Sequence, residues 1–162
     1  MDELDIAIAD PRTDDVRQLI ERHLKFGRSH SPPEDAHALD VDGLLDPAVT
    51  LFSIRCRGEL LAIGALKRID DQHAELKTMH TVEHARGRGI GRAMLDHLLA
   101  AARDRGFERV SLETGSMEAF APARSLYASA GFAPCEPFGD YRRSPNSTYM
   151  SRRLPPPRGT SV

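Results

Sequence analysis

The chain has 162 residues, enough for one domain with a sizeable single core. A hydrophobic fraction of 40%, a charged fraction of 28% and a formal net charge of −2 are ordinary for a globular protein, and they give no reason to expect nucleic acid or an anionic membrane as partner. No run approaches the roughly 20 apolar residues of a membrane span, and Met1-Asp2-Glu3-Leu4-Asp5 is acidic where a secretory leader is basic and then apolar.

Leu4, Ile6 and Ile8 alternate, so residues 4–9 read as a short strand, broken by Asp10-Pro11. Thr13 is a candidate N-cap with Asp14 and Asp15 in the first turn. Val16, Leu19, Ile20 and Leu24 follow at helical spacing, and Gly27 is expected to end that helix. His30-Ser31-Pro32-Pro33-Glu34 reads as irregular, since consecutive prolines remove donors and restrict their neighbours. A second helix is expected over 36–45, stopped by Asp46-Pro47. Strands over 50–57 and 60–69 flank Gly58 as a tight hairpin, and a third runs from His73 to Thr81. Ile90, Met94, Leu95, Leu98, Leu99 and Ala102 mark one apolar stripe, the strongest helix signal in the chain, closed by Gly106. A strand over 110–114, a helix over 121–130 stopped by Gly131 and a strand over 148–152 complete the pattern. The order β-α-α-β-β-β-α-β-α-β predicts an α/β (α+β) fold: one domain over 1–154, with a mixed sheet and helices on both faces. The Pro-rich segment 155–162 is expected to be a flexible tail. Cys56 and Cys135 lie far apart and outside any CxxC pair, which suits a reduced, cytoplasmic chain.

The sharpest local signal is Arg86-Gly87-Arg88-Gly89-Ile90-Gly91-Arg92, between a strand and the strongest helix. A helix start presents unpaired N–H groups and the positive end of its dipole. The absence of side chains at Gly87, Gly89 and Gly91 lets a pyrophosphate approach the backbone, and Arg86, Arg88 and Arg92 add charge. A dinucleotide fingerprint would need a third glycine where Arg92 stands, and a P-loop would need Gly-Lys-Ser/Thr. A nucleotide-dependent oxidoreductase is therefore disfavoured.

Arg86, Gly89 and Gly91 fit the pattern Arg/Gln-x-x-Gly-x-Gly/Ala. Downstream, Ala123-Arg124-Ser125-Leu126-Tyr127-Ala128-Ser129-Ala130-Gly131-Phe132 fits A-x-x-L-Y-x-x-x-G-F. In both motifs and in their separation, the chain resembles the GNAT superfamily of acyl-CoA N-acyltransferases. The motif match spans residues 74–132. One departure is Phe120, where the family often carries Asn; an apolar contact to the pantetheine or acyl chain replaces a polar one there.

The resemblance implies a sheet splayed between its fourth and fifth strands, with pantetheine lying in the gap against Met79, His80 and Thr81. It implies CoA contacts from Arg86, Gly87, Arg88, Gly89, Ile90, Gly91, Arg92, Phe120 and Tyr127. It further implies acetyl-CoA as co-substrate, without a metal, and direct attack by an amine. Tyr127 is then the candidate acid for the departing thiolate. The proton of the amine needs a base, and Glu75, His80, Glu113 and water are all open to that role. His80 and His84 straddle a strand end and a loop, which is a poor metal-ligand arrangement.

Substrate choice belongs to loops, here 30–37 and 140–146. Arg142 and Arg143 could hold an acceptor carboxylate, whereas Glu34, Asp35 and Asp140 could attract a cationic amine. The leading expectation is an N-acetyltransferase acting on a primary amine of a small molecule or peptide. The alternative is a non-catalytic acyl-CoA-binding module. The resemblance also allows a homodimer.

Overall fold

The computed structural model describes residues 3–155. In chain order its elements are β1 (Asp5–Ile8), α1 (Asp14–His30), α2 (Val41–Leu44), β2 (Val49–Cys56), β3 (Glu59–Arg68) and β4 (His73–Thr81). They continue with α3 (Ile90–Asp104), β5 (Arg109–Gly115), α4 (Ala121–Ser129), β6 (Ala133–Pro134) and β7 (Ser147–Arg153). The strands form one mixed sheet in the order β1-β2-β3-β4-β5-β7-β6. The pairing of β4 with β5 is parallel, and the remaining pairings are antiparallel.

Local chemistry explains most of these boundaries. The hairpin between β2 and β3 turns on Arg57 and Gly58, both at positive φ (51° and 80°), the pair of left-handed residues that a tight two-residue turn requires. The apolar stripe of α3 is buried along its length, and Leu95 and Leu98 are completely enclosed. Each such leucine contributes about 1.5–3 kcal/mol of hydrophobic burial. Gly64 on β3 lets α3 come close: a Cβ there would lie 2.7 Å from Met94 Cγ.

Strand parity assigns the two helical layers to opposite faces. Ile63 of β3 pairs with His80, and His80 contacts His23 of α1. The neighbouring Gly64 instead meets Met94 and Leu98 of α3. Arg152 of β7 donates to Ala130 O at the end of α4 (2.9 Å) and pairs with Val110. Val110 pairs in turn with Ala74 of β4, which places α4 on the α3 side.

Two irregularities in β4 open the sheet. Opposite Ile63 and Ala65 stand His80 and Lys77, so β4 spends three residues where β3 spends two. The extra residue is a β-bulge. Within it Thr78 adopts φ 56°, an uncommon conformation for a β-branched residue. The parallel pairing with β5 then stops at Leu76–Leu112, while β5 stays paired with β7 as far as Gly115. The expected splay between the fourth and fifth strands is present, as are the mixed sheet and the helices on both faces.

Three expectations are corrected. Helix α1 does not stop at Gly27 but continues to His30, where Ser31 N–H bonds Gly27 O (2.9 Å). Gly27 is an uncrowded helical position whose missing side chain leaves open space. The second helix is only Val41–Leu44, because Asp40 caps it by accepting from Gly43 N–H (2.8 Å), and residues 36–40 before it belong to no helix or strand. The two-residue strand β6 was not expected; it carries too short an alternation to be recognised. The expected tail beyond residue 155 lies outside the described residues.

Candidate active site

The glycine turn sits where β4 and α3 meet. Gly87 and Gly89 take left-handed conformations (φ 76° and 79°), and a Cβ at either would meet no atom within 4 Å. These glycines are therefore required by backbone conformation and leave the approach to the backbone open. The first bond of α3 runs from Ala93 N–H to Gly89 O (3.0 Å), so the preceding N–H groups have no helical acceptor. Arg86 Nε donates to Thr81 O (3.2 Å), while Arg92 reaches Asp96 (3.0 Å) and Ser129 (3.3 Å).

From this turn a cavity of about 700 Å³ runs into the gap between β4 and β5. It is lined by Met79, His80, Thr81, Arg86, Gly87, Gly89, Ile90, Gly91, Arg92, Phe120 and Tyr127. The expected donor-side residues thus converge, with one exception: Arg88 is exposed and does not line the cavity. The size is typical of a ligand pocket. The open glycine turn and the continuous cavity together fit a cofactor with a phosphate end and a long thin arm. Phe120 packs its ring over Gly115 and edge-on against Phe26 (5.4 Å), so this position offers an apolar wall.

The titratable groups are sorted by burial. Tyr127 is 7% exposed; loss of hydration, with the Glu113 carboxylate adding to it, raises its phenol to about 12. Glu113 is raised to about 7, chiefly by burial, with Glu75 and Asp35 also pushing it up while Ser147 and Lys77 oppose them. His80 is lowered to about 4 by burial and by Arg86 and Arg22, and its Nδ1 lies 3.0 Å from His23 Nδ1. Glu75 lines the same cavity but is held in a buried cluster. Lys77 Nζ lies 3.2 Å from its Oε2 and donates to Tyr141 OH (2.9 Å), and Tyr141 in turn donates to Glu75. Burial and the neighbouring Glu75 raise the Tyr141 phenol far above its ordinary range.

Among the expected acceptor-loop charges, Asp35 lines the cavity; Glu34, Asp140, Arg142 and Arg143 do not. Arg143 pairs with Glu136 outside it. His84 turns to Glu59 (2.8 Å), away from His80. Among the described residues, no three His, Cys, Asp or Glu side chains group as metal ligands, and no helix is long and apolar enough to cross a membrane. Lys77, Tyr141 and the Thr78 bulge were not anticipated. Only Lys77 left a signal, standing two residues after Glu75 on the same strand face.

Residues 13–132 match the family model described as the acetyltransferase (GNAT) family. The chain is 45% identical to YsnE of Bacillus subtilis (strain 168), an uncharacterised N-acetyltransferase, over 86% of this chain and 92% of that one. It is 44% identical to YedL of Escherichia coli (strain K12), described in the same words, over 88% and 93%. Its fold is similar to the crystal structure of a Klebsiella pneumoniae protein assigned as an acyl-CoA N-acyltransferase. The TM-score is 0.79 and the identity 26%, covering 93% of this chain and 97% of that one. The chain belongs to the GNAT family of acetyltransferases. It is a transferase by family and by the names of these relatives.

Proposed function

We propose that this chain transfers an acetyl group from acetyl-CoA to a primary amine of a small molecule or peptide, by direct attack on the thioester. The observation that carries the reading is the continuity of one cavity from the glycine turn, past Tyr127, to the carboxylates of β4 and β5.

In this reading the N–H groups from Gly87 to Arg92 hold the pyrophosphate, and Arg86 and Arg92 add charge. Pantetheine lies along Met79–Thr81, where β4 has no β5 partner. A backbone N–H of this segment stabilises the oxyanion. The acceptor ammonium gives one proton to Glu113 and attacks the carbonyl carbon; the C–N bond forms, the C–S bond breaks, the thiolate takes the Tyr127 proton, and the second proton shed by the nitrogen as it becomes an amide restores the Tyr127 phenol. Glu113 is the base because its proton affinity lies near neutrality. Glu75 is engaged by Lys77 and Tyr141, and His80 is too weakly basic. Glu75 then organises the pocket rather than moving the proton.

Thiol release from acetyl-CoA across a panel of primary amines tests the reading. Amine-dependent release with matching N-acetyl product is the expected result. Tight acetyl-CoA binding with no turnover on any amine would overturn it in favour of an acyl-CoA-binding module.

A further inference from the structure

The cavity is electrically two-ended. Near the glycine turn its walls carry Arg86 and Arg92. Towards the acceptor loops they carry the carboxylates of Asp35, Glu75 and Glu113, with Lys77 and the exposed Arg28 as cations. Lys77 is already committed: its side chain is 9% exposed, and its ammonium is bound to Glu75 and Tyr141. An acceptor carboxylate would add a fourth anion to this end, and unless it displaced Glu75 from Lys77 its cation would be Arg28, which is exposed and screened by water.

Asp35 is bound on one side only. Its Oδ2 accepts from Ser144 Oγ (2.8 Å) and Asn146 Nδ2 (3.1 Å), whereas Oδ1 lies 4.0 Å from His37 Nε2, beyond hydrogen-bond reach. The side chain is 11% exposed. Oδ1 is therefore the side of this largely buried carboxylate that is left to the cavity, where water or a ligand cation can meet it. His37 is a poor cation for it, since burial and Lys77 hold its imidazole below its usual range.

The surroundings also restrict size. The Asp35 bonds to Ser144 and Asn146, and the edge-on contact of His37 with Tyr141 (4.9 Å), tie residues 35–37 to the 141–146 loop. Between the polar groups the wall is apolar, formed by Phe26, Ala36, Ala38 and Phe120. The same cavity must also hold the pantetheine arm.

We propose that the acceptor is a small aliphatic amine with a second positive charge and no carboxylate, an α,ω-diamine in its simplest form. Its reacting nitrogen lies at Glu113 and its far ammonium on Asp35 Oδ1. This assignment rests on the acetyl-transfer reading above. The reacting ammonium gives one proton to Glu113 and, on becoming an amide, a second that replaces the proton Tyr127 passes to the thiolate, so CoA leaves as the thiol.

Initial rates with cadaverine, lysine and n-pentylamine test it, since they share a chain length and differ in charge. Cadaverine is expected to exceed both others in kcat/KM by at least about tenfold, the effect of one satisfied charge contact. Asp35→Asn is expected to cost cadaverine about tenfold more than pentylamine, through KM, while acetyl-CoA affinity holds. Lysine used as well as cadaverine, or an Asp35→Asn loss shared equally by cadaverine and pentylamine, overturns the diamine assignment alone. Acetyl-CoA binding without thiol release on any of the three, or on the wider amine panel, overturns the acetyl-transfer reading with it.

Discussion

Burial acts in one direction on Tyr127 and Glu113 but with opposite chemical consequences. The phenol, raised to about 12, stays protonated across the physiological range; the carboxyl, raised to about 7, is poised between its two forms. Tyr127→Phe is expected to lower kcat by at least about 100-fold, as loss of a positioned acid does. Acetyl-CoA affinity should change by less than about threefold, because the ring and its packing remain. Equal losses in both would assign Tyr127 to binding alone. The base must be deprotonated, so kcat/KM should climb as pH rises through about 7 and level off above it. Free acceptor amines titrate near ~10 and do not disturb this limb. Glu113→Gln should lower the plateau and erase the limb; a limb that survives the substitution would move the base elsewhere.

At the scale of elements, the turn into α3 depends on backbone shape. Gly89 is both its N-cap and left-handed (φ 79°), so Gly89→Asp adds strain, bulk and negative charge at the approach to the helix start. Acetyl-CoA binding should be lost in calorimetry while the far-ultraviolet spectrum persists; unchanged affinity would remove the turn from the cofactor site. The contact between α1 and β4 carries its own pH signature. Burial and neighbouring positive charge hold His23 at about 3 and His80 at about 4, against an ordinary 6.5. The unfolded chain takes up protons that the folded chain refuses as pH falls from about 6.5 towards 4, so stability is full above that window and declines through it. His23→Leu should flatten this decline in thermal melts between pH 7 and 5, and an unaltered slope would place the titration elsewhere. Elements bounded by turns or carrying their own periodicity were legible in the sequence: β4 spans the run read from His73 to Thr81, and α3 follows its stripe. Gly27 misled because glycine favours a helix end by local propensity, yet serves here as open space in a helix wall. Tyr141 was illegible for a different reason. Its partner Lys77 lies 64 residues away, and no local pattern encodes such a meeting.

For the molecule as a whole, β1 to β4 form one part of the sheet and β5, β7 and β6 the other, joined by the four register pairs from His73–Arg109 to Leu76–Leu112. The helices pack across this seam into one hydrophobic core that includes Val16, Ile63, Leu95 and Leu112. Thr78 stands beside the seam at positive φ, and its buried hydroxyl has no hydrogen-bond partner. That residue is one more than β3 can match, so chain length itself is a functional variable here. Removing Thr78 would leave Lys77 opposite Ala65 and His80 opposite Ile63, each on its present face. A one-residue deletion, ordinarily ruinous within a strand, would be conservative for register and would relieve a strain on the order of 1–2 kcal/mol. The shortened chain should melt no lower than the parent yet fail to bind acetyl-CoA, its fourth strand free to run on beside the fifth. If it still bound, the cleft would owe its opening to something other than this surplus residue.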